Sequence, residues 1–157
     1  MAGYDMLVRL YDLPDDTELK AQLLADGITI RRVMAPDIHS VYQFAKENFS
    51  EGWADACQAC AAHHDCSVAV KDHKIIGFAC NEASTLDYFG PTGVLPEMRG
   101  KGVGKALLLH ALHALREKGY NYAIIGWVGP AAFYQKCVGA VPLEGSIPGA
   151  YQNLLKV

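Results

Sequence analysis

The chain has 157 residues, 51% of them hydrophobic and 20% charged, and a formal net charge of −3. That composition suits one soluble globular domain with a sizeable core and gives no general attraction to nucleic acid or to an anionic membrane. No apolar run approaches the roughly 20 residues of a membrane-spanning helix, and "MAGYDMLVRLYDLPDD" lacks the basic start and long apolar stretch of a signal peptide, so a cytoplasmic protein is expected.

Residues 5–11 read as a short strand. Pro14, Asp15 and Asp16 then start a helix over 15–25, with Leu19, Leu23 and Leu24 on one side and Gly27 as its stop. "ITIRRV" at 28–33 alternates as a half-buried strand. Ile38, Val41, Tyr42, Ala45 and Phe49 recur at helical spacing, Gly52 breaks that helix, and a second one runs over 53–64. "CSVAVK" (66–71) and "KIIGFACNEA" (74–83) flank "DH", a connection short enough for a hairpin. The run 85–95 contains Gly90 and Pro91, which predict a bulge or a partly unpaired stretch. A long helix follows over 102–118, ending at Gly119, then a buried strand over 120–128 and a short helix over 130–139 opened by Pro130. Two weak strands are expected at 140–144 and 150–156. The order strand, helix, strand implies that 85–95 and 120–128 are parallel neighbours joined by the long helix.

The opening of that helix, "RGKGVGK", is unusual. Gly100, Gly102 and Gly104 stand where glycine costs helix stability. A helix start presents free N–H groups and partial positive charge. Removing side chains there, with Arg99, Lys101 and Lys105 beside it, makes a cradle for phosphate. Val103, Leu107, Leu108, Ala111, Ala114 and Leu115 fall on one broad face that would anchor the helix to a core. The turn is not a P-loop, because Arg99 replaces its first glycine and Ala106 its metal-binding hydroxyl. A dinucleotide fingerprint fails too, with Lys105 in place of the third glycine and a position far along the chain.

Arg99-x-x-Gly102-x-Gly104, after a β-run ending Val94-Leu95-Pro96, resembles the acyl-CoA signature R/Q-x-x-G-x-G/A of the GNAT (GCN5-related N-acetyltransferase) superfamily. The following helix, the strand "YAIIGWV" and the helix with "AAFYQK" are similar to that family's order of elements. The resemblance implies a mixed α/β fold. Its central sheet would be mostly antiparallel, with two splayed parallel strands and flanking helices. It also implies a single domain over 1–157 with residues 1–26 as an N-terminal extension packed on it. The implied cosubstrate is acetyl-CoA, with no metal. Its diphosphate would rest on the amides of Gly100, Lys101, Gly102, Val103, Gly104 and Lys105, helped by Arg99, with Phe133 also in contact. An amide near Val94 or Leu95 would meet the thioester oxygen, where fixed N–H groups act most strongly in the transition state. Phe133-Tyr134-Gln135-Lys136 resembles the family's F-Y-E-K segment, which makes Tyr134 the candidate acid for the departing thiolate; the ordinary alternative is a packed tyrosine. The family often has Asn seven residues before this tyrosine, where Trp127 stands here, and its next glycine comes one residue later than usual, at Gly139.

The attacking amine needs a base, for which Glu82 and Asp87 are candidates, each weighed against an ordinary exposed carboxylate. Trp53 and Tyr88 are candidate substrate-binding residues. "CQACAAHHDC" brings Cys57, Cys60, His63, His64 and Cys66 close in sequence, but without a second ligand pair an apolar cysteine face is the default over a metal site. The five cysteines read as reduced thiols, and Cys137 has no sequence neighbour that would activate it for a covalent route. Residues 1–26 could cover a sheet edge or make a homodimer contact, and Leu109, on a polar helix face, hints at an interface. The expected activity is transfer of acetyl from acetyl-CoA to a primary amine, of a small molecule or of a protein or peptide, by direct attack. The rival is a noncatalytic acyl-CoA-binding sensor or carrier.

Overall fold

A computed structural model describes residues 3–156; Met1, Ala2 and Val157, the ends of the expected domain, lie outside the described residues. In chain order the elements are β1 (Met6–Arg9), α1 (Thr17–Ala25), β2 (Ile28–Arg32), α2 (Ile38–Asn48), α3 (Glu51–Ala61), β3 (Cys66–Lys71) and β4 (Lys74–Asn81). Then come β5 (Tyr88–Val94), α4 (Val103–Glu117), β6 (Tyr122–Ile125), α5 (Ala131–Val138) and β7 (Val141–Pro142). The seven strands make one sheet in the order β2-β3-β4-β5-β6-β1-β7. Only β5 and β6 are parallel, Tyr88 opposite Ile124 and Phe89 opposite Ile125; every other pair is antiparallel. This is the mixed α/β architecture expected from the sequence.

Alternation along the strands builds two cores. Val68 and Phe78 face α2 and α3, while their neighbours Ala69 and Ala79 face α1, α4 and α5. The β3–β4 hairpin closes on Asp72 and His73, both with positive φ (51° and 61°), the pair of left-handed residues that matches strand twist in a two-residue turn. Between α2 and α3 the break is not at Gly52, which sits inside the first turn of α3. Ser50 is the N-cap, its hydroxyl accepting from the Trp53 N–H at 3.1 Å, the usual way to satisfy one free donor of a helix start.

Several expectations change. β1 lies inside the sheet between β6 and β7, and α1 packs on α4, with Leu23 buried but Leu24 64% exposed. Because α1 covers that side of α4, Leu109 is 1% exposed and offers no surface. The strand at 120–128 stops at Ile125, since Trp127 takes a positive φ of 46° and the chain turns away. Residues 150–156 form no strand; Gly149–Tyr151 is a 3-10 turn.

Candidate active site: the open edge of β5 beside the glycine turn

The site begins with a bulge. Across β4, Ala79 faces Thr92 and Asn81 faces Phe89, so β5 spends one extra residue at Gly90-Pro91. The bulge switches which face each side chain takes. Phe89 packs in the α4–α5 core, whereas Gly93 faces Phe49 on the other side. Beyond the bulge β5 has lost its parallel neighbour. After Ile125 the chain follows β1 instead: the Trp127 N–H bonds Asp5 Oδ1 at 3.0 Å and the Val128 N–H bonds the Tyr4 carbonyl at 2.9 Å. β5 and β6 therefore part after Ile125, and the far end of β5 has no ladder partner on that side, a gap at its open edge.

Backbone parity decides which amide looks into this gap. The Leu95 N–H donates to the Ile76 carbonyl at 2.9 Å, toward β4. In an antiparallel ladder successive residues alternate direction, so the Val94 N–H and C=O point to the open side. Of the two candidate amides, Leu95 is spent on the ladder and Val94 is the one that faces the gap. The Val94 carbonyl accepts from Arg99 Nε at 3.2 Å, which ties the exposed Arg99 side chain along the rim.

Next to Val94 stands the first turn of α4. Gly102 is its N-cap with φ 90°, and Gly100 has φ 80°, conformations that side-chain-bearing residues rarely adopt. No side chain caps the turn, and the first intrahelical bond is from Ala106 N–H to Gly102 C=O at 2.9 Å. The N–H groups of Val103, Gly104 and Lys105 are left without intrahelical partners. Lys101 and Lys105 are exposed beside them, while the Val103 side chain is buried and contributes only its backbone. A Cβ on Gly104 would sit 3.7 Å from Phe133 Cζ and 3.8 Å from Val94 Cγ2. Gly104, Phe133 and Val94 thus meet where the glycine turn joins the gap. Uncapped amides, flanking cations and missing side chains fit an anionic diphosphate.

Tyr134 lies on α5, one residue from Phe133. It is 6% exposed, its ring edge-on to Phe89 (centroids 6.2 Å apart) and to Phe133 (5.2 Å). Burial pushes its hydroxyl up to about 12, so it is a proton donor throughout the neutral range.

The opposite face of the sheet carries aromatic groups. Trp53 stacks on Phe49 (5.3 Å, 25°), and both meet Phe78 edge-on. Phe49 lies directly over Gly93: a Cβ there would come within 2.6 Å of its ring. Gly93→Ala is expected to force that clamped ring aside and cost about 1–3 kcal/mol, read as a lower midpoint in denaturant unfolding. Tyr88 packs edge-on against Tyr151 (6.1 Å), which in turn meets Trp127 (5.1 Å). Neither Trp127 nor Tyr151 was a sequence candidate; only the fold brings the C-terminal segment beside β5.

The two carboxylates separate in character. Burial alone would raise Glu82, but hydrogen bonds from Lys118, the Asp87 N–H and Tyr120 prevail and hold it below its usual range. Lys118 also binds Asp65, so Glu82 belongs to a charge network that staples the end of α4 to the sheet. Asp87 is pushed up to about 6 by burial and then by the Glu82 charge, and its Oδ1 is buried without a hydrogen-bond partner. Because the folded value exceeds the unfolded one, this group favours folding fully only below pH 4 and loses that contribution as pH rises through 6. Asp87→Asn is therefore expected to stabilise the fold at pH 7.5 by no more than about 1 kcal/mol after solvent screening, read as a higher melting temperature, with the gain vanishing toward pH 4.

A family model described as the acetyltransferase (GNAT) domain matches residues 62–137. Among solved structures, a GCN5-related glucosamine N-acetyltransferase region of a fungal multi-domain GH3 β-N-acetylglucosaminidase is 20% identical, with a TM-score of 0.72, over 89% of this chain and 19% of that one. A GCN5-related N-acetyltransferase from Sphaerobacter thermophilus is 21% identical with a TM-score of 0.71, over 89% of this chain and 48% of that one. A Drosophila protein is 18% identical with a TM-score of 0.67, over 89% and 47%. The chain thus spans less than half the length of each of these solved chains. No curated protein matches it. Residues 62–137 thus resemble the GNAT acetyltransferase domain in sequence, and the chain shares the fold of these solved structures over most of its length. Among the described residues, no helix is long and apolar enough to cross a membrane.

Proposed function

We propose that the chain is an acetyl-CoA-dependent N-acetyltransferase acting on a primary amine by direct attack. The observation that carries this reading is the free Val94 N–H in the β5–β6 gap, immediately beside the uncapped, glycine-lined first turn of α4. Bound acetyl-CoA supplies an acetyl thioester ready for nucleophilic attack. The amides of residues 100–105, with Lys101 and Lys105, hold the diphosphate. The Val94 N–H donates to the acyl oxygen, whose negative charge grows as the amine attacks, and a fixed donor there lowers the barrier. Tyr134 Oη, neutral and poorly solvated, gives a proton to the leaving sulfur. Trp53 and Tyr88 wall the acceptor side. Glu82 is committed to Lys118 and Tyr120 and is not free to act as the base.

The test is a screen of amine acceptors with acetyl-CoA, following release of free thiol. It should include glucosamine, polyamines, amino acids and peptides with free amino termini or lysines. Turnover with a primary amine, and none with its N-acetylated form, is the expected result. Tight CoA binding with no turnover on any amine would favour a noncatalytic sensor or carrier.

A further inference from the structure

Four of the five cysteines gather at one point in the second core, on the side of the sheet that carries Phe49 and Trp53. Cys57 and Cys60 lie on α3, Cys66 on β3 and Cys80 on β4, and each is at most 1% exposed. The fold makes this meeting from distant sequence: Cys66 and Cys80 are direct cross-strand partners, and one face of α3 lies over them. Cys57, Cys66 and Cys80 have sulfurs all within 4.8 Å of one another, with Cys57 Sγ and Cys80 Sγ 3.7 Å apart. Cys60, three residues on from Cys57 on the same buried face of α3, donates its thiol to the Cys57 carbonyl at 3.6 Å and would turn toward the group to serve as a fourth ligand. Reading the segment 57–66 alone hides this site, because its histidines are not part of it and the missing ligand is Cys80, fourteen residues beyond Cys66.

We propose that Cys57, Cys60, Cys66 and Cys80 form a buried structural site for one thiophilic d10 ion, zinc. Sulfurs held about 2.3 Å from a tetrahedral zinc stand about 3.8 Å apart, close to the Cys57–Cys80 spacing. Four protein sulfurs leave no open coordination position for a substrate, so the site is structural. On binding, each thiol passes its proton to solvent as its sulfur–metal bond forms; the ion enters and leaves as Zn2+, and no oxidant is required. The ion would pin α3 to the β3–β4 hairpin. Trp53 stands one helical turn before Cys57, so the same pin would steady the Trp53–Phe49 stack over β5.

The full chain, purified under reductant without chelator, is expected to hold close to one zinc per chain by elemental mass spectrometry. After unfolding with reductant and chelator and refolding without oxygen in the presence of Co2+, it should show the strong thiolate-to-cobalt absorption of a tetrahedral sulfur site. Zinc should raise the melting temperature of the metal-free protein. Cys80→Ser should abolish the cobalt absorption, whereas Cys137→Ser, the buried cysteine outside the cluster, should leave it intact. Should Cys80→Ser fail to fold, the zinc content, cobalt spectrum and zinc-induced stabilisation of the unaltered chain decide the matter. Folded, reduced protein that holds no metal, refuses both ions and melts at the same temperature with and without zinc would overturn the site. So would a disulfide between two of the four cysteines in protein that takes no metal when reduced. These readouts report metal binding itself and do not depend on whether the chain transfers acetyl groups.

Discussion

Replacing Gly104 by leucine is expected to weaken CoA binding by about 100-fold or more while the protein stays folded. Gly104 does not have a left-handed backbone, and a Cβ there makes only ordinary contacts with Phe133 and Val94. Its glycine character is therefore not required by the fold, and a helix-forming residue at that position gains up to about 1 kcal/mol. What a longer side chain must do is grow into the space between Phe133 and Val94, over the free amides of the first turn. Loss of two charge-assisted hydrogen bonds at about 1.5–3 kcal/mol each sets the size of the effect. Gly104→Ala is the graded control, with a smaller loss of binding and a melting temperature at or above that of the parent. Gly102 is a poorer probe: with φ 90° and Leu19 Cδ1 2.9 Å from a would-be Cβ, substitution there damages fold and site together. Unchanged CoA affinity in Gly104→Leu, measured by calorimetric titration, would remove the turn from the binding site.

Tyr134→Phe is expected to reduce kcat by about 100-fold or more, the range of a lost general acid, with CoA affinity changed less than about twofold. The ring sits between Phe89 and Phe133, and no hydrogen bond to its hydroxyl is seen among the described residues, so phenylalanine fits the same space. Stability gives a second readout. An unfolded tyrosine loses its proton near pH 10, whereas burial holds Tyr134 to about 12. The folded value is the higher one, so its contribution is complete below pH 10 and declines as pH rises toward 12. The phenylalanine variant should lose less stability than the parent across that window. Full turnover in the variant would return Tyr134 to a packing role.

The order of strands and helices was legible because each segment carries its own period and punctuation: "DH" between two β-runs, Gly119 after the long helix, Gly90-Pro91 where β5 bulges. The glycine turn was legible because three glycines at a helix start contradict local propensity. Other features depend on tertiary placement, which no local pattern encodes. Nothing in "DMLVRLY" says that it pairs with a strand more than a hundred residues away, yet β1 lies beside β6. The choice of Val94 over Leu95 needed the register against β4, since parity cannot be counted across an unseen bulge. Phe49 over Gly93, Tyr151 beside Tyr88 and Cys80 among the other thiols arise in the same way, from elements that meet only in the folded chain.

If the open edge of β5 and the first turn of α4 together hold CoA, titrating CoA into isotopically labelled protein will show it amide by amide in NMR spectra. The largest saturable shifts are expected on Val94 and on residues 100–105, with the Leu95 amide, bonded to Ile76, moving far less. Saturation accompanied by shifts centred elsewhere in the chain, or no binding at all, would contradict that placement.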